Sequence, residues 1–147
     1  MRFSALLLLC GLLATSGLEA QRPRPQAVGS MSDLMVKLIY PASDAILYIE
    51  SRTPENQAEW NELAGNALLV AESANLLMMP SRALDQGQWM RDTQRMLDVG
   101  AKAYEAALEK DLQTLIDLNE EMIQSCVVCH KRYRSDYGKN YKKFPPD

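Results

Sequence analysis

The sequence predicts an all-α protein, an antiparallel up-down-up-down bundle of four helices. Three observations carry that expectation. Apolar residues recur at three- and four-residue steps in four separate segments, the period of a helix with one buried face. No segment shows the two-residue alternation or the β-branched run of a strand. Short joins marked by Pro, Asp and Gly separate the segments, and short joins make successive helices antiparallel neighbours. The chain has 147 residues, enough for one domain with one core.

The first segment is expected to begin near Ser30 or Ser32 and to bury Met31, Leu34, Met35, Leu38, Ala42, Ala45 and Ile49. Pro41 interrupts it, and an internal proline kinks a helix or removes one of its hydrogen bonds, a cost of about 3 kcal/mol. The second segment opens with Thr53 as the expected cap, Pro54 at the first helical position and Glu55 in the first turn. Its stripe is Trp60, Leu63, Ala64, Ala67, Leu68, Ala71, Ala74 and Met78, and Pro80 ends it. The third follows Asp85 with Trp89, Thr93, Met96, Leu97, Gly100, Tyr104 and Leu108. The fourth opens at Asp111 and carries Leu112, Leu115, Asn119, Met122, Cys126, Cys129, Tyr133 and Tyr137.

Ahead of these segments, Arg2 precedes an apolar run from Phe3 to Leu13, then small and polar residues ending at Ala20. That order is a secretory signal peptide, residues 1–20, with cleavage expected after Ala20. The run is too short to span a bilayer, so no stable membrane anchor is expected, and Cys10 leaves with the peptide. Residues 21–29 read as an extended leader because Pro23 and Pro25 forbid helix, 30–137 as the helical domain, and 138–147 as a basic tail. Losing Arg2 and Glu19 together leaves the net charge at −3, which offers no electrostatic footprint for nucleic acid. A periplasmic location follows from the export signal.

The residues that carry chemistry lie late in the chain, at Cys126-Val127-Val128-Cys129-His130, and His130 is the only histidine. Cys-x-x-Cys-His is the attachment pattern of a covalent haem c. Two thiols add across the two vinyl groups, and the adjacent imidazole becomes an iron ligand. On a helix Cys126 and His130 stand one turn apart on one face, so thiols and imidazole can reach a single macrocycle. Two rivals fail on inventory. A structural zinc site needs four Cys or His ligands, and Cys126, Cys129 and His130 are only three once Cys10 is gone. A thioredoxin-like pair belongs beside a βαβ pattern, which this chain lacks.

A signal peptide, four helices and a haem pattern on the last of them resemble the class II c-type cytochromes, the cytochrome c-prime group and its low-spin, methionine-ligated relatives. The likeness covers roughly Met31 to Tyr137. In Cys129-His130-Lys131-Arg132-Tyr133-Arg134 an aromatic stands three positions and a base four positions beyond the histidine, as in that family. The run Leu34-Met35-Val36-Lys37-Leu38-Ile39-Tyr40-Pro41-Ala42-Ser43-Asp44, with Trp60 and Gln88-Trp89-Met90, resembles one branch of it.

With His130 used, no second histidine is left for the sixth iron position. The resemblance implies that the first helix covers that face, and it carries Met35 and, one turn earlier, Met31. Met35, Met31 or no side chain remain as alternatives. A thioether ligand raises the potential and closes the site, which suits electron transfer; an open position binds a small gas such as nitric oxide or carbon monoxide. Relatives that bind gases carry an aliphatic residue where this chain has Met35. Met78, Met79, Met96 and Met122 are read as packing.

Arg134 reads either as a cofactor-binding residue, tuning the haem field or pairing with a propionate, or with Lys131 as a solvated helix-end charge. Tyr133 is expected against the histidine side of the haem, and Trp60 and Trp89 in the core. Gly65 and Gly100, inside helices, are each expected to admit a close neighbour, a helix or, at Gly100, the haem plane. These readings make the protein a carrier of single electrons between redox partner proteins, with gas binding as the alternative. An enzyme is not expected, because no distal histidine serves acid–base work on a peroxide. The resemblance implies dimers through the first two helices, and the small face Ala64, Ala67, Ala71 permits a homodimer.

Overall fold

The computed structural model describes residues 25–134 and 136–138. The expected signal peptide, its cleavage after Ala20, Cys10 and nearly all of the basic tail lie outside the described residues. Among the described residues the regular structure is all helical, in four helices with no strand.

The first helix, α1, spans residues 31–47. It is α-helical over Met31–Leu34 and Tyr40–Leu47 and π-helical over Met35–Ile39. Ser30 caps it: its Oγ accepts the Asp33 N–H at 3.0 Å while the Asp33 carboxylate accepts the Ser30 N–H at 3.1 Å. Pro41 accounts for the wide turn. In a regular helix its ring would strike the Lys37 carbonyl four residues back. The helix widens ahead of it instead, and the Tyr40 N–H reaches the Met35 carbonyl five residues back. That extra residue rotates the buried face. Leu34 is followed inside by Ile39, then by Ala42, Ser43, Ile46 and Ile49. Leu38, expected inside on a regular period, is exposed.

The second helix, α2, is Gln57–Met78, and its cap is Asn56 rather than Thr53. The Asn56 Oδ1 accepts the N–H groups of Ala58 and Glu59 at 3.0 and 3.1 Å, satisfying two donors that the first turn leaves free. Thr53 closes the previous element instead, its hydroxyl donating to the Ile49 carbonyl at 3.0 Å. The third helix, α3, is Gln88–Glu109. Asp85 serves its start, its Oδ1 accepting the N–H groups of Gly87 and Trp89 at 2.8 and 3.1 Å. The fourth, α4, spans residues 112–133 as Leu112–Asp117 and Asn119–Tyr133, joined through Leu118, whose backbone stays right-handed helical. Asp111 caps it as expected, accepting the Thr114 N–H at 3.0 Å. It ends at Tyr133, one turn short of Tyr137.

Packing runs from α1 to α2, most extensively from α2 to α3, then α3 to α4, and α4 returns to α1. This ring encloses Ile46, Ile49, Val70, Leu77, Val99, Leu115 and Met122. The Asn119 side-chain amide donates to the Leu47 carbonyl at 3.2 Å, tying α4 to the end of α1. At Gly100 an added Cβ would stand 2.8 Å from the Ala71 nitrogen, so this glycine serves helix–helix contact. Gly65 has no such reason: it is exposed, and nothing lies within 4 Å of its Cβ position.

The small residues Ala64, Ala67 and Ala71 are buried within the chain itself. Leu68 and Leu108, expected on buried stripes, are exposed, and Val70 and Val99 are buried instead. Among the described residues no helix is long and apolar enough to cross a membrane.

Candidate functional site

All four helices contribute to one narrow, mostly apolar cleft. Met35 and Ile39 enter from α1, Leu77 from α2, Asp92, Thr93 and Met96 from α3, and Ser125, Cys126, Cys129 and His130 from α4. The π turn opens at Met35, so the irregularity in α1 lies beside the cleft. On α4 the helical period brings Cys126, Cys129 and His130 to one side, and Ser125 turns its hydroxyl back to the Met122 carbonyl at 2.7 Å.

Both cysteines are free thiols, partly buried. Burial raises the Cys126 thiol above its usual range. Cys129 is pushed up to about 11, first by burial and then by the negative charge of Asp92. His130 is half-buried, and burial, helped by the Arg134 charge, lowers its pKa. The neutral imidazole that results is the form that ligates a metal. Among the described residues no group of three His, Cys, Asp or Glu side chains could by itself hold a metal ion.

The end of α4 is gripped by the start of α3. The Tyr133 hydroxyl donates to the Asp85 carboxylate, and its ring meets Trp89 edge-on with centroids 5.0 Å apart. Burial and the bond to Asp85 push the Tyr133 phenol up to about 12. Trp89 is itself fixed by its indole N–H, which donates to the Leu77 carbonyl at 2.9 Å. Next to Tyr133, the Arg132 guanidinium lies 3.7 Å from Asp92 Oδ2. The segment after His130 is thus held at two points, one aromatic and one ionic.

The cleft joins Met35 with Cys126, Cys129 and His130. Met31 packs on the core one turn earlier and does not line the cleft. Arg134 also stands off it, with its Nε 3.0 Å from an Asp136 carboxylate oxygen and most of its side chain exposed. Its influence at the site is its charge near His130. The His130 ring has a second neighbour in Tyr137, with centroids 5.4 Å apart. Met96, read as packing, is buried in the core and also lines the cleft, so two thioethers face it.

Asp92 escaped the sequence reading altogether, yet a signal was there. Trp89, Thr93 and Met96 mark a buried face at helical spacing, and Asp92 lies on it three residues after Trp89. A carboxylate on an apolar stripe is the anomaly that points to a site. Set against family models, curated proteins and solved structures, the chain has no match.

Proposed function

We propose that the chain is a periplasmic class II-type cytochrome c that carries single electrons between redox partner proteins through a haem with His130 and Met35 as axial ligands. The observation that carries this reading is the meeting of Cys126, Cys129, His130 and Met35 in one cleft. The antiparallel up-down-up-down order belongs to the same reading, supported by the pairing of Leu77 with Trp89 and of Ala71 with Gly100.

The residues present fit the group. Two free thiols on one face of one helix can each add an S–H across a vinyl, with no leaving group. A neutral imidazole follows them, and a porphyrin supplies four nitrogens of its own, so no cluster of three protein ligands is required. The free space within the cleft is about 40 Å³, far below the roughly 300–1,000 Å³ of small-molecule pockets. Entry therefore requires side chains at its mouth to swing aside, and the unbranched thioethers of Met35 and Met96 are suited to that.

When bound, haem c supplies a one-electron ferric/ferrous couple. Cys126 and Cys129 would hold it covalently, and His130 and Met35 would offer an imidazole nitrogen and a thioether to its iron, while Ile39 and Leu77 would help to keep water out. No histidine is left for acid–base work on a bound peroxide, so the reading is a carrier and not an enzyme.

The test is the optical spectrum of the exported protein, ferric and ferrous, with and without carbon monoxide. A low-spin spectrum indifferent to the gas is expected, and Met35→Ala should convert it to a high-spin form that binds the gas. An unchanged spectrum in Met35→Ala moves the assignment to Met96. A high-spin parent that binds carbon monoxide at once replaces electron transfer with gas binding. Colour lost on denaturation removes covalent attachment altogether.

A further inference from the structure

We infer that Asp92 is a potential-setting residue: a buried, fixed carboxylate in the cleft that stabilises the oxidised cofactor and holds the midpoint potential down. The inference rests on the haem reading above and adds to it a residue outside both the attachment pattern and the axial ligands.

Asp92 is 1% exposed and lines the cleft with Cys129 and His130. Its Oδ1 accepts one hydrogen bond, from the Gln88 side-chain amide at 2.6 Å. Its Oδ2 is buried without a hydrogen-bond partner, and the nearest cation is the Arg132 Nε at 3.7 Å, beyond hydrogen-bond reach. The Arg132 side chain is 56% exposed, so solvent screens part of its charge before it can offset the carboxylate. A buried carboxylate served this sparsely is costly to keep. Asp92 lies beyond the first turn of α3, the turn in which the helix dipole would offset such a cost.

The carboxylate acts at a distance on its neighbours in the cleft. It adds to the upward push on the Cys129 thiol, the residue that would bear one thioether. The same field would act on an iron bound through the adjacent His130. Ferric haem carries one more positive charge than ferrous haem, so an anion that Arg132 only partly compensates favours the ferric form. From a carboxylate as buried as Asp92 the effect reaches farther than from one at the surface.

The measurement is the midpoint potential of the exported holoprotein by spectroelectrochemistry, for the parent, Asp92→Asn and Arg132→Gln. Asn keeps the shape and removes the charge. The expected result is a ferric/ferrous equilibrium shifted toward ferrous by about tenfold, a rise of about 59 mV for a one-electron couple, with the optical bands unchanged. Arg132→Gln should move it the other way by about threefold, less because that cation is partly solvated.

A purely structural Asp92 would lower the unfolding temperature and leave the potential alone, and that outcome overturns the inference while leaving the haem reading intact. Should Asp92→Asn fail to fold or alter the bands, Arg132→Gln decides: a downward shift supports the field and an unmoved potential overturns it. A parent without covalent haem overturns both readings together, which separates that failure from a failure at Asp92 alone.

Discussion

The α2–α3 seam and the cleft are made from the same helices by opposite rules. The seam is small and apolar: Ala67, Val70, Ala71 and Ala74 come from α2, and Val99, Gly100 and Ala103 from α3, all buried. Gly100 lets the two backbones approach until a single added carbon would collide with Ala71. The cleft breaks local rules at each step. Its α1 wall is a π turn, its α3 wall holds a buried carboxylate with an unserved oxygen, and its α4 wall leaves a histidine and two thiols partly exposed. Departures of this kind cost stability, and they gather where a protein binds something. The seam holds the fold together, and the cleft is where the proposed haem would be held.

That contrast can be broken by paired substitutions. Met122→Ala, fully buried in the core, is expected to lose about 2–5 kcal/mol of stability in urea unfolding. Met35→Ala, at the cleft and measured on the haem-free protein so that no iron bond is lost, should lose about 1 kcal/mol or less, because its side chain is only partly buried. Equal losses would mean the cleft is ordinary core. Gly100→Ala should cost about 1–3 kcal/mol, since backbone and not a flexible side chain must give way.

Asn56→Ala should cost about 1 kcal/mol, and Thr53→Ala less, which would confirm by thermal unfolding which residue starts α2. Gly65→Ala should go the other way, gaining about 1 kcal/mol, because the position is open and only helix propensity is at stake. The smallest effect concerns acid. The pKa of Asp33 is lowered by Lys37 and Ser30, and that of Asp111 by Thr114, so their contribution is present above the ordinary carboxylate pKa of 3.8. It is lost as pH falls through their lowered values. Asp111→Asn should flatten the acid limb of a plot of melting temperature against pH.

The same division governs what could be read in the sequence. The four stripes, the Asp111 cap and the burial of Trp89 were legible because they depend on neighbours three or four residues apart. So was the grouping of Cys126, Cys129 and His130 on one helix face. The inward turn of Ile39 in place of Leu38 was not. Pro41 announced a disturbance, but whether the helix would kink, break or widen depended on what the rest of α1 had to pack against. The two glycines looked alike and differ only in what lies opposite: Ala71 for Gly100 and solvent for Gly65.

By itself the sequence determined an all-helical chain of four amphipathic segments, with two thiols and an imidazole on the last of them. Backbone hydrogen bonding and a 3.6-residue period are local physics, and they fix faces without reference to other segments. Tertiary structure alone decided which side chains from the other helices meet those three. It brought in Met35 across the π turn, made Met96 a second thioether in the cleft and left Asp92 buried beside Cys129. These are contacts between residues 30 to 95 positions apart, chosen when the four apolar faces close on one another, and no local period encodes them.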